Sequence, residues 1–192
     1  MKEEQYVSGQ TKYPPLLSPM LVKLTGFTGP YTLADNIESQ TDHIVHICAG
    51  SGSVPNFSML KYALDHHPRL RHTFIYSNKT WGDVIFRDAL TELEAKNPDR
   101  LRVIHTLTRE PDVTRCGPLV RKGRVNAALV RELVPDVESS IVYVCGPGIS
   151  KWDREAAKER GESPQPRFLE TVLTDLLSLG VPNARIKRES YG

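Results

Sequence analysis

Three short stretches of this chain carry residue types whose spacing could do chemistry. Gly50-Ser51-Gly52-Ser53-Val54-Pro55 follows a run of strand-forming residues and opens a helical one. Glycines there let the backbone turn tightly and come close to a ligand, and the N–H groups at the start of the following helix are free to bind a pyrophosphate. Pro55 suits a first helical turn, where its missing N–H is not needed. Cys145-Gly146-Pro147-Gly148 closes another apolar run and forms a second backbone shelf with a thiol at its edge. The alternative for such a cysteine is a small side chain buried in a turn. Thr108-Arg109-Glu110 ends a third run, with Arg115, Arg121, Lys122 and Arg124 behind it. A planar guanidinium in that loop can hold a phosphate through two hydrogen bonds, whereas basic residues with no ligand form a solvated surface.

All three stretches need strands to place them. His43 to Cys48 is a β-branched run of strand length, and behind its glycine turn Phe57, Leu60, Ala63 and Leu64 recur at helical spacing within Val54 to Leu64. The pattern repeats. His72 to Tyr76 precedes a helical stretch from Val84 to Lys96, and Leu101 to Leu107 precedes one from Val125 to Leu133. Ser140 to Cys145 is nearly all apolar, as a strand covered on both faces must be. Phe168 to Leu179 reads as an amphipathic helix closed by Gly180 and Pro182, and Arg185 to Ser190 as the last strand. Strands alternating with helices in this way predict an α/β fold, a doubly wound parallel five-stranded sheet of the Rossmann type, with ligands bound beyond the carboxyl ends of its strands.

Composition narrows the function classes. The 192 residues hold 25 Lys+Arg against 23 Asp+Glu, a formal charge of +2, which is too near neutral for a general binder of nucleic acid. No apolar run approaches the roughly 20 residues of a membrane span, and Met1 to Gln10 is polar where a signal peptide carries its apolar segment, so a cytoplasmic location is expected. Cys48, Cys116 and Cys145 lie far apart, and His66-His67 has no second ligand cluster nearby, so neither a disulfide framework nor a metal site is expected. The first forty residues differ from the rest, with Pro14-Pro15, Pro19, Gly26, Gly29 and Pro30, one strand candidate at Met20 to Leu24 and no helix signal. Residues 1–41 are read as an N-terminal arm and 42–192 as the nucleotide-binding domain.

Taken in order, the glycine turn from Gly50 to Pro55, then Ile75-Tyr76-Ser77, Thr108-Arg109-Glu110, Val142-Tyr143-Val144-Cys145-Gly146-Pro147 and Glu189-Ser190-Tyr191 resemble the pyridine-nucleotide domain of the ferredoxin-NADP reductase family. The resemblance runs from His43 to Gly192, about three quarters of the chain. It implies that Gly50, Ser51, Gly52, Ser53 and Pro55 cradle the pyrophosphate, and that Ser77, Thr108, Arg109 and Arg115 hold the adenosine end with its 2′-phosphate. It places Cys145, Gly146 and Pro147 under the nicotinamide, Glu189 near the hydride path, and the Tyr191 ring on the flavin, so that Cys145, Glu189 and Tyr191 form the catalytic set. Tyr76-Ser77-Asn78-Lys79 carries no carboxylate to repel a 2′-phosphate, which favours NADP over NAD.

The implied activity is that of an FAD-dependent NAD(P)H oxidoreductase, passing a hydride between NADPH and FAD and electrons to an iron–sulfur protein or ferredoxin-like acceptor. Thr28-Gly29-Pro30-Tyr31-Thr32-Leu33 resembles the family segment preceding the nucleotide domain, so the arm is read as a remnant of the flavin barrel, with the FAD domain supplied in cis or in trans. Residues 148–167 stand where the family has a much shorter link. The competing function is a non-catalytic nucleotide-binding module that docks on a partner.

Overall fold

The computed structural model describes residues 29–190. The strand candidate at Met20 to Leu24 and the flavin-stacking candidate Tyr191 lie outside them. From Tyr31 onward the chain forms one compact unit. In chain order it contains a helical turn α1 (Ile37–Gln40), β1 (His43–Ala49), α2 (Ser53–His66), β2 (Arg71–Asn78), α3 (Arg87–Lys96), β3 (Leu101–Leu107), β4 (Val120–Lys122), α4 (Ala127–Leu133), β5 (Ile141–Gly146), α5 (Lys151–Glu159), α6 (Phe168–Ser178) and β6 (Ile186–Ser190).

The strands form one parallel sheet in the order β4-β3-β2-β1-β5-β6. Parallel strands need crossovers, and here all but the β3–β4 loop are made by helices, which cover both faces of the sheet. Side chains alternate accordingly. Val45 and Ile47 of β1, Ile75 of β2, Ile104 of β3, and Val142 and Val144 of β5 pack with Val130 and Leu133 of α4 and Leu169, Val172 and Leu176 of α6. The residues between them face the other way: Cys48, Phe74, Tyr76 and Val103 pack with Phe57, Leu60 and Leu64 of α2 and Leu90 of α3. Each fully buried large side chain, such as Leu60 or Phe74, stabilises the fold by roughly 1.5–3 kcal/mol relative to exposure.

The sheet has six strands where five were expected. The additional one, β4, is three residues long and lies between Gly117-Pro118 and Gly123, too short to show a periodicity of its own. Two helix starts also shift. Phe86 takes a left-handed conformation (φ 59°) and delays α3 to Arg87, and the Asn126 side chain accepts from Leu129 N–H and starts α4 at Ala127.

Residues 31–41, expected in the arm, belong to the packed unit. Ile37 is buried with Ile44, Met59, Leu70 and Tyr143, against which Tyr31 and Leu33 also pack. The Tyr31 hydroxyl donates to Asn56 Oδ1 (2.9 Å), and the Tyr143 hydroxyl donates to the carbonyl oxygen of Thr32 (3.0 Å). Among the described residues no helix is long and apolar enough to cross a membrane.

Candidate functional site

The strand order reverses direction between β1 and β5, so the carboxyl ends of these two neighbours diverge into loops on opposite sides and leave a crevice. A cleft of about 870 Å³ opens there. It runs from Ala49 and Gly50 after β1, across Ser77-Asn78-Lys79 after β2 and Thr108-Arg109 after β3, to Gly123-Arg124-Val125 after β4, and is walled by Pro147 after β5 and by Arg167, Phe168 and Thr171 at the start of α6.

The glycine turn is built from below. Gly50 has a φ of +53°, a conformation that glycine adopts without the penalty a Cβ brings. The Tyr76 hydroxyl donates to the carbonyl oxygen of Gly50 (2.9 Å), and Ser53 Oγ donates to that hydroxyl (2.9 Å). Gly52 is required for a different reason. A Cβ at this position would lie 2.4 Å from the carbonyl oxygen of Cys145, so the turn and the end of β5 can touch only because the side chain is absent. Pro55 falls in the first turn of α2, as its missing N–H allows.

The adenosine-side candidates stand on a laced ledge. Thr108 N–H donates to Asn78 O (3.0 Å) and Arg109 N–H to Lys79 O (2.7 Å), which ties the loops after β2 and β3 together. Lys79, Arg109 and Arg124 make no ion pair among the described residues. The one acid in the cleft, Asp83, is occupied by Thr80, whose N–H and hydroxyl donate to it at 2.9 and 2.7 Å and hold its carboxyl below the usual range. Asn78 is buried, and its Nδ2 has no hydrogen-bond partner among the described residues. The cleft is therefore a cationic trough, a fit for a phosphorylated ligand.

Of the residues singled out from sequence, the structure brings Gly50, Ser77, Thr108, Arg109 and Pro147 together in the cleft wall. Ser51 is exposed beside it, and Gly52 and Ser53 are buried beneath it. Arg115 is elsewhere. Its guanidinium pairs with Asp112 (3.3 Å) on an exposed turn, outside the residues that line the cleft. Arg121, also outside the cleft lining, pairs with Glu132 (3.6 Å) and donates to Pro118 O (3.0 Å).

Cys145 does not point into the crevice as an accessible thiol. It lies opposite Cys48 in register, on the α2 side of the sheet, and is fully buried. Burial first, and the Glu189 carboxylate second, push its pKa up to about 12, so it is a protonated thiol and no nucleophile. Glu189 is its register partner on β6, half-buried at the edge of the sheet. Gly146 is fully covered: a Cβ there would lie 2.6 Å from the Phe168 ring, so Phe168 is seated directly on the Cys-Gly-Pro loop.

Sequence reasoning gave no site role to Phe168 or Arg167, named Asn78 and Lys79 only for the lack of a carboxylate beside them, and named Arg124 only as part of a basic run. Lys79 could have been found from its place one residue beyond β2. Arg124 could not, because its position depends on the three-residue β4.

The sequence profile of the oxidoreductase NAD-binding domain family matches residues 46–151. Human NADH-cytochrome b5 reductase 2 is 32% identical over 108 residues, which are 55% of this chain and 38% of that protein. The ferredoxin reductase component of 3-ketosteroid-9-alpha-monooxygenase from Mycobacterium tuberculosis (strain CDC 1551 / Oshkosh) is 37% identical over 102 residues, 53% of this chain and 25% of that one. The fold is also that of the Amycolatopsis cytochrome P450 reductase GcoB, with a TM-score of 0.65 and 22% identity over 86% of this chain and 42% of that structure. Ferredoxin-NADP+ reductase from Plasmodium falciparum matches 85% of the chain at a TM-score of 0.55 and 14% identity, over 59% of its own length. The chain thus spans well under two thirds of each of these proteins. Its glycine turn, switch-point cleft and matched profile together establish that this chain belongs to the oxidoreductase NAD-binding domain family.

Proposed function

We propose that this chain is the NADPH-binding part of a flavin-dependent oxidoreductase that delivers electrons to an iron–sulfur acceptor. The observation that carries the reading is the cationic cleft over the switch point, where Lys79, Arg109 and Arg124 are unpaired and Asp83 is already engaged. A dinucleotide with a third phosphate has the charge to match three free cations.

In this reading, Gly50 and Pro147 bring bare backbone to the diphosphate, while Thr108, Arg109 and Lys79 receive the 2′-phosphate over the ends of β2 and β3. NADPH, when bound, supplies the hydride. The protein's share is positioning and the exclusion of water: Phe168 closes the floor over Gly146, and the neutral Cys145 thiol with Glu189 fills the far side of the same loop. In this reading the flavin is held by an FAD domain supplied in cis or in trans.

The test is the full-length product isolated from its source. A yellow protein whose colour bleaches on addition of NADPH, and which reduces an artificial acceptor, supports the oxidoreductase. A colourless protein that binds NADPH without oxidising it replaces this reading with a non-catalytic nucleotide-binding module.

A further inference from the structure

The insertion between β5 and α6, residues 148–167, is pinched shut at its neck. Leu169 N–H donates to Pro147 O (3.0 Å), and the Glu170 carboxylate receives Ile149 N–H on one oxygen (2.9 Å) and Arg167 N–H on the other (3.0 Å). Arg167 is thereby anchored by its backbone at the cleft wall, next to Phe168. Its guanidinium is turned aside. Nη2 donates to Asp153 Oδ1 at 2.6 Å, and the other Asp153 oxygen accepts from Ser150 N–H (2.8 Å) and Ser150 Oγ (2.7 Å) at the start of α5. The pair is partly open to solvent, with Arg167 46% and Asp153 26% exposed, the class of ion pair that contributes little and is readily exchanged for a more highly charged anion. The other cleft cations, Lys79, Arg109 and Arg124, follow β2, β3 and β4, so Arg167 is the cation on the β5 side, one residue before the Phe168 ring that packs on Gly146, which in turn lies against Ala49 at the start of the glycine turn.

We propose that Arg167 is a diphosphate-binding residue held in reserve by Asp153: a nucleotide entering the cleft takes the guanidinium from the carboxylate, and the insertion both supplies this ligand and restrains it. The inference rests on the nucleotide reading of the cleft and adds to it a binding residue and a built-in competitor.

The test is calorimetric titration of the full chain with ADP, which carries the diphosphate, and with 2′-AMP, which does not. Arg167→Gln, which keeps the backbone N–H that Glu170 needs, should weaken ADP about tenfold. Asp153→Asn, which removes the competitor, should tighten ADP about threefold. Neither should alter 2′-AMP. The opposite signs separate this role from a structural one, because loosening the neck would weaken ADP in both variants. ADP binding that is unchanged in Arg167→Gln, or that shifts in the same direction in both variants, overturns the assignment of Arg167 alone. An unsubstituted chain that binds neither ADP nor NADP+ overturns the nucleotide reading together with it.

Discussion

Tyr76 and Gly50, one at the end of β2 and the other in the turn after β1, are joined by a hydrogen bond of 2.9 Å from the phenol to the glycine carbonyl. Tyr76 is fully buried, so this hydroxyl acts as a fixed post under the turn that is to face the ligand. Tyr76→Phe removes the post and leaves the packing. NADP+ and NAD+ affinities should fall together, by about tenfold, because a buried hydrogen bond contributes about 1–1.5 kcal/mol and both nucleotides share the diphosphate. Calorimetry on the variant checks this, and a loss confined to NADP+ would contradict it.

The two glycines of the turn should respond differently to alanine. At Gly50 the left-handed conformation costs a side chain about 1–2 kcal/mol, but the space around it is open. At Gly52 the Cβ meets the Cys145 backbone, which cannot give way without moving the end of β5. Gly52→Ala should therefore cost more than Gly50→Ala, about 3 kcal/mol or above, and Gly52→Val more again. Urea unfolding measures both; equal losses would remove the close contact between the turn and β5 from the account.

A third consequence concerns acid. Burial lowers the pKa of His46 and of His105 to about 4 and that of His72 to about 2. His46 faces Asn56 of α2, His72 and Phe74 of β2, and Tyr143 of β5, with no carboxylate among them. Above the unfolded value of 6.5 these imidazoles are neutral in both states. As pH falls below 6.5 the unfolded chain takes up protons that the folded chain refuses, so stability is lost from there down to the folded value near 4. His46 and His105 should each account for about 3 kcal/mol over that window. Urea midpoints between about pH 7 and about pH 4.5 should fall steeply, and His46→Phe should flatten the fall; a midpoint indifferent to pH in this range would contradict the burial argument.

Much of this was legible in the residues because strong local signals coincided with long elements. His43 to Cys48 and Ser140 to Cys145 are β-branched runs ended by glycine, and both are strands at the switch point. What could not be read follows from distance in space. β4 is three residues whose strand character comes only from pairing with β3, so Arg124 had no visible element to place it. Cys145 looked accessible because sequence gives the alternation of a strand but not which helices cover each side; α2 covers it. Arg115 and Arg109 are alike in the sequence, and only the fold sets Arg109 in the cleft wall and Arg115 on an exposed turn beside Asp112. Arg167 reaches the cleft only because the excursion of residues 148–167 returns to within hydrogen-bonding distance of its own start, a closure set by Glu170.

The account turns on whether the ledge of Thr108 and Arg109 reads a 2′-phosphate. The measurement is calorimetric binding of NADP+ and NAD+ to the unsubstituted chain, to Arg109→Ala and to Arg115→Ala. The prediction is that NADP+ binds more tightly than NAD+, that Arg109→Ala erases most of the difference while sparing NAD+, and that Arg115→Ala changes neither, because Arg115 pairs with Asp112 outside the residues that line the cleft. Equal losses of both nucleotides in Arg109→Ala, or no binding of either to the unsubstituted chain, would contradict it.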